Sequence, residues 1–165
     1  MMLLASVCYL ACAMLLHELG HLLAARACQV PAHELGVGWG PRLFGMRWQG
    51  VEFKLHALPL GAYVRLDMRT LQTRPLSQQV LVLIAGIIVN LCAAAIAGET
   101  IFGAMNLLLA ATNLLPLYQQ DGWKCGMVLV RGLLRRRSPF VEWTFTLAGG
   151  GLSLALVATQ VWRFM

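Results

Sequence analysis

Leu15-Leu16-His17-Glu18-Leu19-Gly20-His21-Leu22-Leu23 decides the reading of this chain. It is a His-Glu-x-x-His motif set inside an apolar run. On a helix, positions i and i+4 share a face, so His17 and His21 can reach one metal ion together. Glu18 sits one step round and can face the same water. The surrounding run, residues 2–25, is long enough to cross a bilayer at roughly 20 residues per span. Two histidines and a carboxylate are costly in lipid, so their presence there points to function.

Composition agrees with a membrane setting. The 165 residues are 59% hydrophobic and 12% charged. A soluble domain is nearer to about half apolar and a quarter charged. The chain therefore reads as one membrane-embedded domain covering residues 1–165. Its five cysteines, Cys8, Cys12, Cys28, Cys92 and Cys125, have no Cys-x-x-Cys spacing. They read as packing residues or free thiols, not as a disulfide framework or a zinc knuckle. No basic residue precedes Arg26, which favours a retained span over a cleaved signal peptide.

Beyond the first span lies a polar, glycine-rich region. Arg42-Leu-Phe-Gly-Met-Arg-Trp48 and Val51-Glu-Phe-Lys-Leu-His-Ala57 flank Gln49-Gly50. The second arm alternates apolar and polar residues, and a two-residue turn with glycine separates the arms. That pattern predicts a β-hairpin within residues 34–66. Residues 58–64 read as a loop with room for one more short strand. Further spans are expected over residues 77–97, 101–115 and 143–161, with a short amphipathic helix over 127–134. Gly86 and the Gly149-Gly150-Gly151 run would permit close helix packing. The expected fold is an α-helical multi-pass membrane protein, with four transmembrane helices and a cytoplasmic, membrane-associated β-hairpin.

Charge placement orients these spans. With four of them, Arg26, Arg42, Arg47, Lys54, Arg65, Arg69, Arg74, Lys124, Arg131 and the Arg135-Arg136-Arg137 run share one side, leaving Arg163 on the other. That side is expected to be cytoplasmic, with both termini external. The net charge of +6 is thus explained by topology, and nucleic acid is excluded as a partner. His21 and His17 precede Arg26 by five and nine residues, which sets them roughly 8–14 Å inside the cytoplasmic end of the span.

A catalytic zinc takes three protein ligands and keeps one position for water. His17 and His21 supply two. A third histidine at metzincin spacing would fall on Ala27, which rejects that class. The remaining candidates are Glu34, Glu52, Asp67, Glu99, Asp121 and Glu142. Glu99 falls on the opposite side of the membrane. Asp121 follows a proline break at the cytoplasmic end of the third span, at the depth of His21, and is the preferred ligand. One Zn2+ per chain would then acidify a water, with Glu18 as general base toward a peptide carbonyl. A helical substrate must unwind first, and a hairpin edge could hold it extended by strand addition. His33 and His56 have no ligand spacing and read as surface or hairpin residues. Asn90 and Asn113 are polar groups inside spans, open to interhelical hydrogen bonding or to substrate contact.

Four stretches together resemble the site-2 protease family of intramembrane zinc metalloproteases. His17-Glu18-Leu19-Gly20-His21 is similar to its first catalytic motif. Leu58-Pro-Leu-Gly-Ala-Tyr-Val-Arg65 is similar to the Pro-Leu-Gly-Gly-Tyr-Val segment that follows the family's hairpin. Ala85-Gly86-Ile-Ile-Val-Asn90 resembles its Ala-Gly-Pro-x-x-Asn motif, and Asn113-x-x-Pro116-x-x-x-x-Asp121-Gly122 its Asn-Pro-Asp-Gly motif. The resemblance implies zinc on His17, His21 and Asp121, Glu18 as base, and Asn113, with Asn90, at the substrate. It also implies substrates that are transmembrane helices or signal-peptide remnants, cut in the inner membrane from the cytoplasmic side. A homo-oligomer or a regulatory membrane subunit is compatible with it. Ile87, Tyr118 and Gln120 depart from the family's usual Pro, Pro and Leu. Gly98-Glu99-Thr100 leaves no room for the PDZ domain that relatives often carry between the second and third spans.

Three rival readings come from the same residues. The departures around Asp121 suggest an inactive relative that binds membrane helices without cutting them. Polar groups in lipid suggest a zinc transporter. A Glu as third ligand would make an integral-membrane zincin acting on soluble proteins.

Overall fold

The computed structural model describes residues 2–134 and 139–164, so the arginine run at 135–137 lies outside the described residues. The order is α1 (Met2–Ala27), β1 (Ala32–Trp48), β2 (Val51–Leu66), α2 (Met68–Thr73), α3 (Leu76–Ala97), α4 (Ile101–Leu114), α5 (Asp121–Leu134) and α6 (Pro139–Phe164). Helix α1 is central, packing against α3, α4 and β2. Among the described residues, two helices are long and apolar enough to cross a bilayer, over Ala5–Ala27 and Leu76–Ala97. Helix α4 is apolar but has 14 residues. Its length of about 21 Å falls short of the hydrocarbon core, about 30 Å thick.

Local chemistry sets the element boundaries. Pro75 precedes α3, where its fixed φ suits a helix start. Gly98 ends α3 at φ 59°, a region that disfavours a side chain, and returns its N–H to Ala94 O. The Thr100 hydroxyl then accepts from the Gly103 N–H and opens α4. This three-residue connection folds α3 and α4 into an antiparallel pair.

The hairpin forms around Gln49-Gly50, both at positive φ (47° and 82°), the backbone of a type I′ turn. Trp48 pairs with Val51 across it. The strands are longer than expected. Residues 58–64, read as a loop with room for one more short strand, continue β2. Both strands bend, so that Glu34, Leu35, Gly36 and Val37 pair with Arg65, Val64, Tyr63 and Ala62 on one side. On the other side the same four residues pair with Glu52, Phe53, Lys54 and Leu55. Across the sheet the segments run 44–48, 51–55, 34–37, 62–65. Among the described residues, the 62–65 segment is therefore a free edge of the sheet, and it overlaps the family-like Pro-Leu-Gly-Ala-Tyr-Val stretch at residues 59–64.

Two apolar clusters join the layers. Ala25, Cys28, Val30, Leu71, Val82, Leu83 and Cys125 bring the end of α1 together with α2, α3 and α5. Leu22, Leu35 and Val51 fix the hairpin to α1. Helix α2 was not anticipated. Asp67 caps it, accepting from the Arg69 and Thr70 N–H groups, and Leu71 is its buried anchor. Helix α5 also begins earlier than its expected start at 127. Its first residue is Asp121.

Candidate metal centre

His17 and His21 occupy one face of α1, and both meet Asp121 at the first turn of α5. Asp121 Oδ2 lies 2.9 Å from His17 Nε2 and 3.0 Å from His21 Nε2. The two Nε2 atoms are 3.1 Å apart. All three residues are buried. The expected long-range partner, a hundred residues downstream of His21, is brought to the histidines.

The outer ring nitrogens determine what the inner ones present. His21 Nδ1 is 2.7 Å from Val82 O. A carbonyl oxygen only accepts, so Nδ1 carries the hydrogen and donates. In the neutral ring, Nε2 then presents a lone pair to the centre. His17 Nδ1 stands 3.2 Å from Asn90 Oδ1 and takes the same role. Two imidazole lone pairs and a carboxylate oxygen thus converge on one point, an arrangement that repels itself unless a cation sits there. A tetrahedral ion with ligand bonds of about 2.0–2.1 Å needs donors about 3.3 Å apart, close to the observed spacing. The outer hydrogen bonds are of the kind that orient metal-ligating histidines.

Two glycines make the approach of α1 and α3 close enough. A Cβ on Gly20 would lie 2.8 Å from Ala85 O. One on Gly86 would lie 2.5 Å from His21 Nε2 and 2.7 Å from His17 Nε2. Gly86 therefore leaves the space the donors share. The residues present fit a divalent metal of the zinc type, with two imidazoles and one carboxylate as donors.

The other five carboxylates raised by the sequence are engaged or distant. Glu34 accepts from the Tyr63 hydroxyl and pairs with Lys54 Nζ at 3.0 Å. Glu52 pairs with Arg42 at 2.9 Å and Glu142 with Arg131 at 2.8 Å. Asp67 caps α2. Glu99 lies in the exposed turn between α3 and α4.

Two cavities flank the centre, and Glu18 lines both. The first, about 190 Å³, is polar and includes Asn113, Gln119, Gln120, Asp121 and Lys124. The second, about 450 Å³, runs from Glu18, His21 and Asp121 to Tyr63, Val64, Arg65 and Leu66 on the free sheet edge. Asn113 is thus placed at a cavity beside Glu18. Asn90, read as open to interhelical hydrogen bonding or to substrate contact, makes an interhelical bond to His17. It is 0% exposed, packed behind His17, and lines neither of these cavities. His56 belongs to the hairpin. The sequence reading passed over Lys124, whose Nζ is 3.0 Å from Asp121 Oδ1. Its spacing of three residues from Asp121 was the available signal. The Val82 carbonyl, a backbone group, has no signature in sequence.

Residues 5–104 match the model of peptidase family M50, which is well over half of the chain. The chain belongs to peptidase family M50. Proteins named as candidate zinc metalloproteases share its sequence. That of Clostridium acetobutylicum is 33% identical over 90 residues, covering 50% of this chain and 26% of the relative. That of Clostridium perfringens is 34% identical over 84 residues, covering 46% and 25%. That of Nostoc sp. is 33% identical over 103 residues, covering 55% and 28%. The chain spans about a quarter of the length of the curated relatives it matches. The M50 match ends before Asn113 and Asp121, so the meeting of Asp121 with the histidines is a separate observation.

Proposed function

We propose that this M50 chain is a membrane-embedded zinc endopeptidase that cuts peptide bonds in or near transmembrane helices. The observation that carries the reading is the convergence of His17 Nε2, His21 Nε2 and Asp121 Oδ2 beside the Glu18 carboxylate, with access from two cavities that Glu18 lines. His17, His21 and Asp121 would hold the zinc. When bound there, zinc supplies Lewis acidity, acidifying water to a pKa of about 7 and polarising a carbonyl.

The protein's own groups do the rest. Glu18 takes the proton of the attacking water and returns it to the leaving nitrogen. Asn90 and the Val82 carbonyl hold the two imidazoles with their Nε2 atoms inward. The 62–65 edge, without a second strand neighbour among the described residues, borders the larger cavity, and an unwound substrate can add to it as a strand. Asn113, at the smaller cavity, is suited to bind the extended chain on the other side of Glu18. In the same reading, α1, α3 and α6 span the bilayer, α4 makes the remaining pass together with the irregular segment 115–120 that follows it, the hairpin lies at the cytoplasmic face, and both termini are external. The twelve-to-one division of positive charge supports that orientation.

The test uses the whole chain in detergent with Zn2+ and a reporter carrying a transmembrane helix. Wild type should cleave it, and Glu18→Gln should lose that cleavage while retaining zinc. Equal cleavage by the two proteins would remove Glu18 from the mechanism.

A further inference from the structure

Asp121 divides its two oxygens between different partners. Oδ2 faces both imidazoles, at 2.9 and 3.0 Å. Oδ1 accepts from Lys124 Nζ at 3.0 Å. The Asp121 side chain is 8% exposed, against 38% for Lys124. An ordinary pair three residues apart on a helix joins two solvated groups and contributes little. Here one partner is buried and presents its second oxygen to a metal site. Lys124 also lines both cavities, in each case beside Glu18 and Asp121.

A carboxylate can hold a metal through one oxygen or through both. With two imidazoles already present, a second oxygen would occupy the position that a catalytic site keeps for water. An ammonium group on Oδ1 engages that oxygen's lone pairs and fixes the carboxylate plane. We propose that Lys124 is a positioning residue that holds Asp121 as a one-oxygen ligand, keeping the fourth metal position open toward Glu18. The proposal rests on the zinc-centre reading given above. It also gives a role to a cation at the metal side of α5, where charge alone would oppose a bound metal ion.

The experiment uses the full chain in detergent, loaded with Co2+ as a spectroscopic probe and separately with Zn2+. Wild type, Lys124→Met, Lys124→Arg and His17→Ala are compared at equal metal occupancy. Wild type should show the strong visible absorption of a four-coordinate cobalt site. In Lys124→Met the absorption per bound ion should fall severalfold as Oδ1 joins the ion and coordination rises to five. Lys124→Arg should restore the wild-type spectrum. Cleavage by zinc-loaded Lys124→Met should fall about 10–100-fold, the usual cost of losing an outer partner of a ligand. A wild-type spectrum in Lys124→Met overturns the proposal and leaves the metal centre standing. Failure of wild type to bind either ion more tightly than His17→Ala overturns both. If Lys124→Met loses helix content, Lys124→Leu, which likewise carries no hydrogen-bond donor, replaces it, and the same spectral change is expected.

Discussion

Gly86 on α3 lies so close to His21 on α1 that a methyl group in place of its hydrogen would stand 2.5 Å from the ring's Nε2. The space between the two helices is the space of the metal centre. Gly86→Ala should therefore act on the centre first. Relieving the overlap by shifting rings or helices costs about 1–3 kcal/mol in a packed interior, or roughly 5–150-fold in metal affinity if all of it falls on the bound state. Zinc competition with a chromogenic chelator should show that loss. Gly150→Ala is the control, because a Cβ there meets nothing within 4 Å. Equal zinc affinity for Gly86→Ala and wild type would mean that α3 does not bound the site.

Asn90 and Asn113 should separate cleanly. Asn90 is fully buried with Oδ1 on His17 Nδ1, whereas Asn113 lines a cavity with Glu18. Removing the partner that orients a ligating histidine typically costs about 10–100-fold in metal affinity. Asn90→Ala should show that loss, and added Zn2+ should restore part of its activity. Asn113→Ala should bind zinc as wild type does and lose cleavage that no excess of zinc restores. The paired measurement is zinc affinity and cleavage at saturating zinc. Identical behaviour of the two variants would refute the division.

What could be read from sequence follows from the range of the interactions involved. The His17–His21 pair needs one helical turn, so the motif alone placed both donors on one face. The hairpin was legible at Gln49-Gly50 because a two-residue turn is a local choice of backbone angles. Asp121 was found through its depth and its resemblance to a family motif, although the loop before it departs from that motif. Other features depend on distant packing. The continuation of β2 through 58–66 comes from pairing with 34–37, which no local alternation announces. Helix α5 begins at Asp121 rather than at 127 because the turn at 117–120 brings the chain back onto the histidines. Asn90 reads as a polar residue in a span, and its neighbour in space is seventy-three positions away.

The hairpin carries its own pH signature at Glu34 and Tyr63, outside the membrane-spanning helices. The Tyr63 hydroxyl donates to Glu34, and Lys54 Nζ and Arg65 Nη1 stand 3.0 and 3.6 Å from the carboxylate. The Tyr63 hydrogen bond, helped by these cations, holds the Glu34 carboxyl below its usual range, while the same bond pushes the Tyr63 phenol up to about 12. A depressed carboxylate stabilises the fold above its unfolded value, near 4.3 or about that, and the benefit is lost as pH falls through the folded value. A raised phenol contributes fully below its unfolded value of about 10, and the contribution is lost as pH rises toward its folded value. Tyr63→Phe should therefore be less stable than wild type above the ordinary carboxylate value, and the gap should narrow as pH falls through the folded value of Glu34, because the variant has less of this stabilisation to lose. On the alkaline side it should lack the decline that wild type shows between its ordinary and raised values. The difference in tyrosinate absorbance between wild type and Tyr63→Phe isolates this residue from Tyr9 and Tyr118. Its midpoint is expected near 12. A midpoint at the ordinary tyrosine value would show that Glu34 does not hold the phenol, and the larger cavity would then be bounded at Tyr63 by a freely titrating side chain.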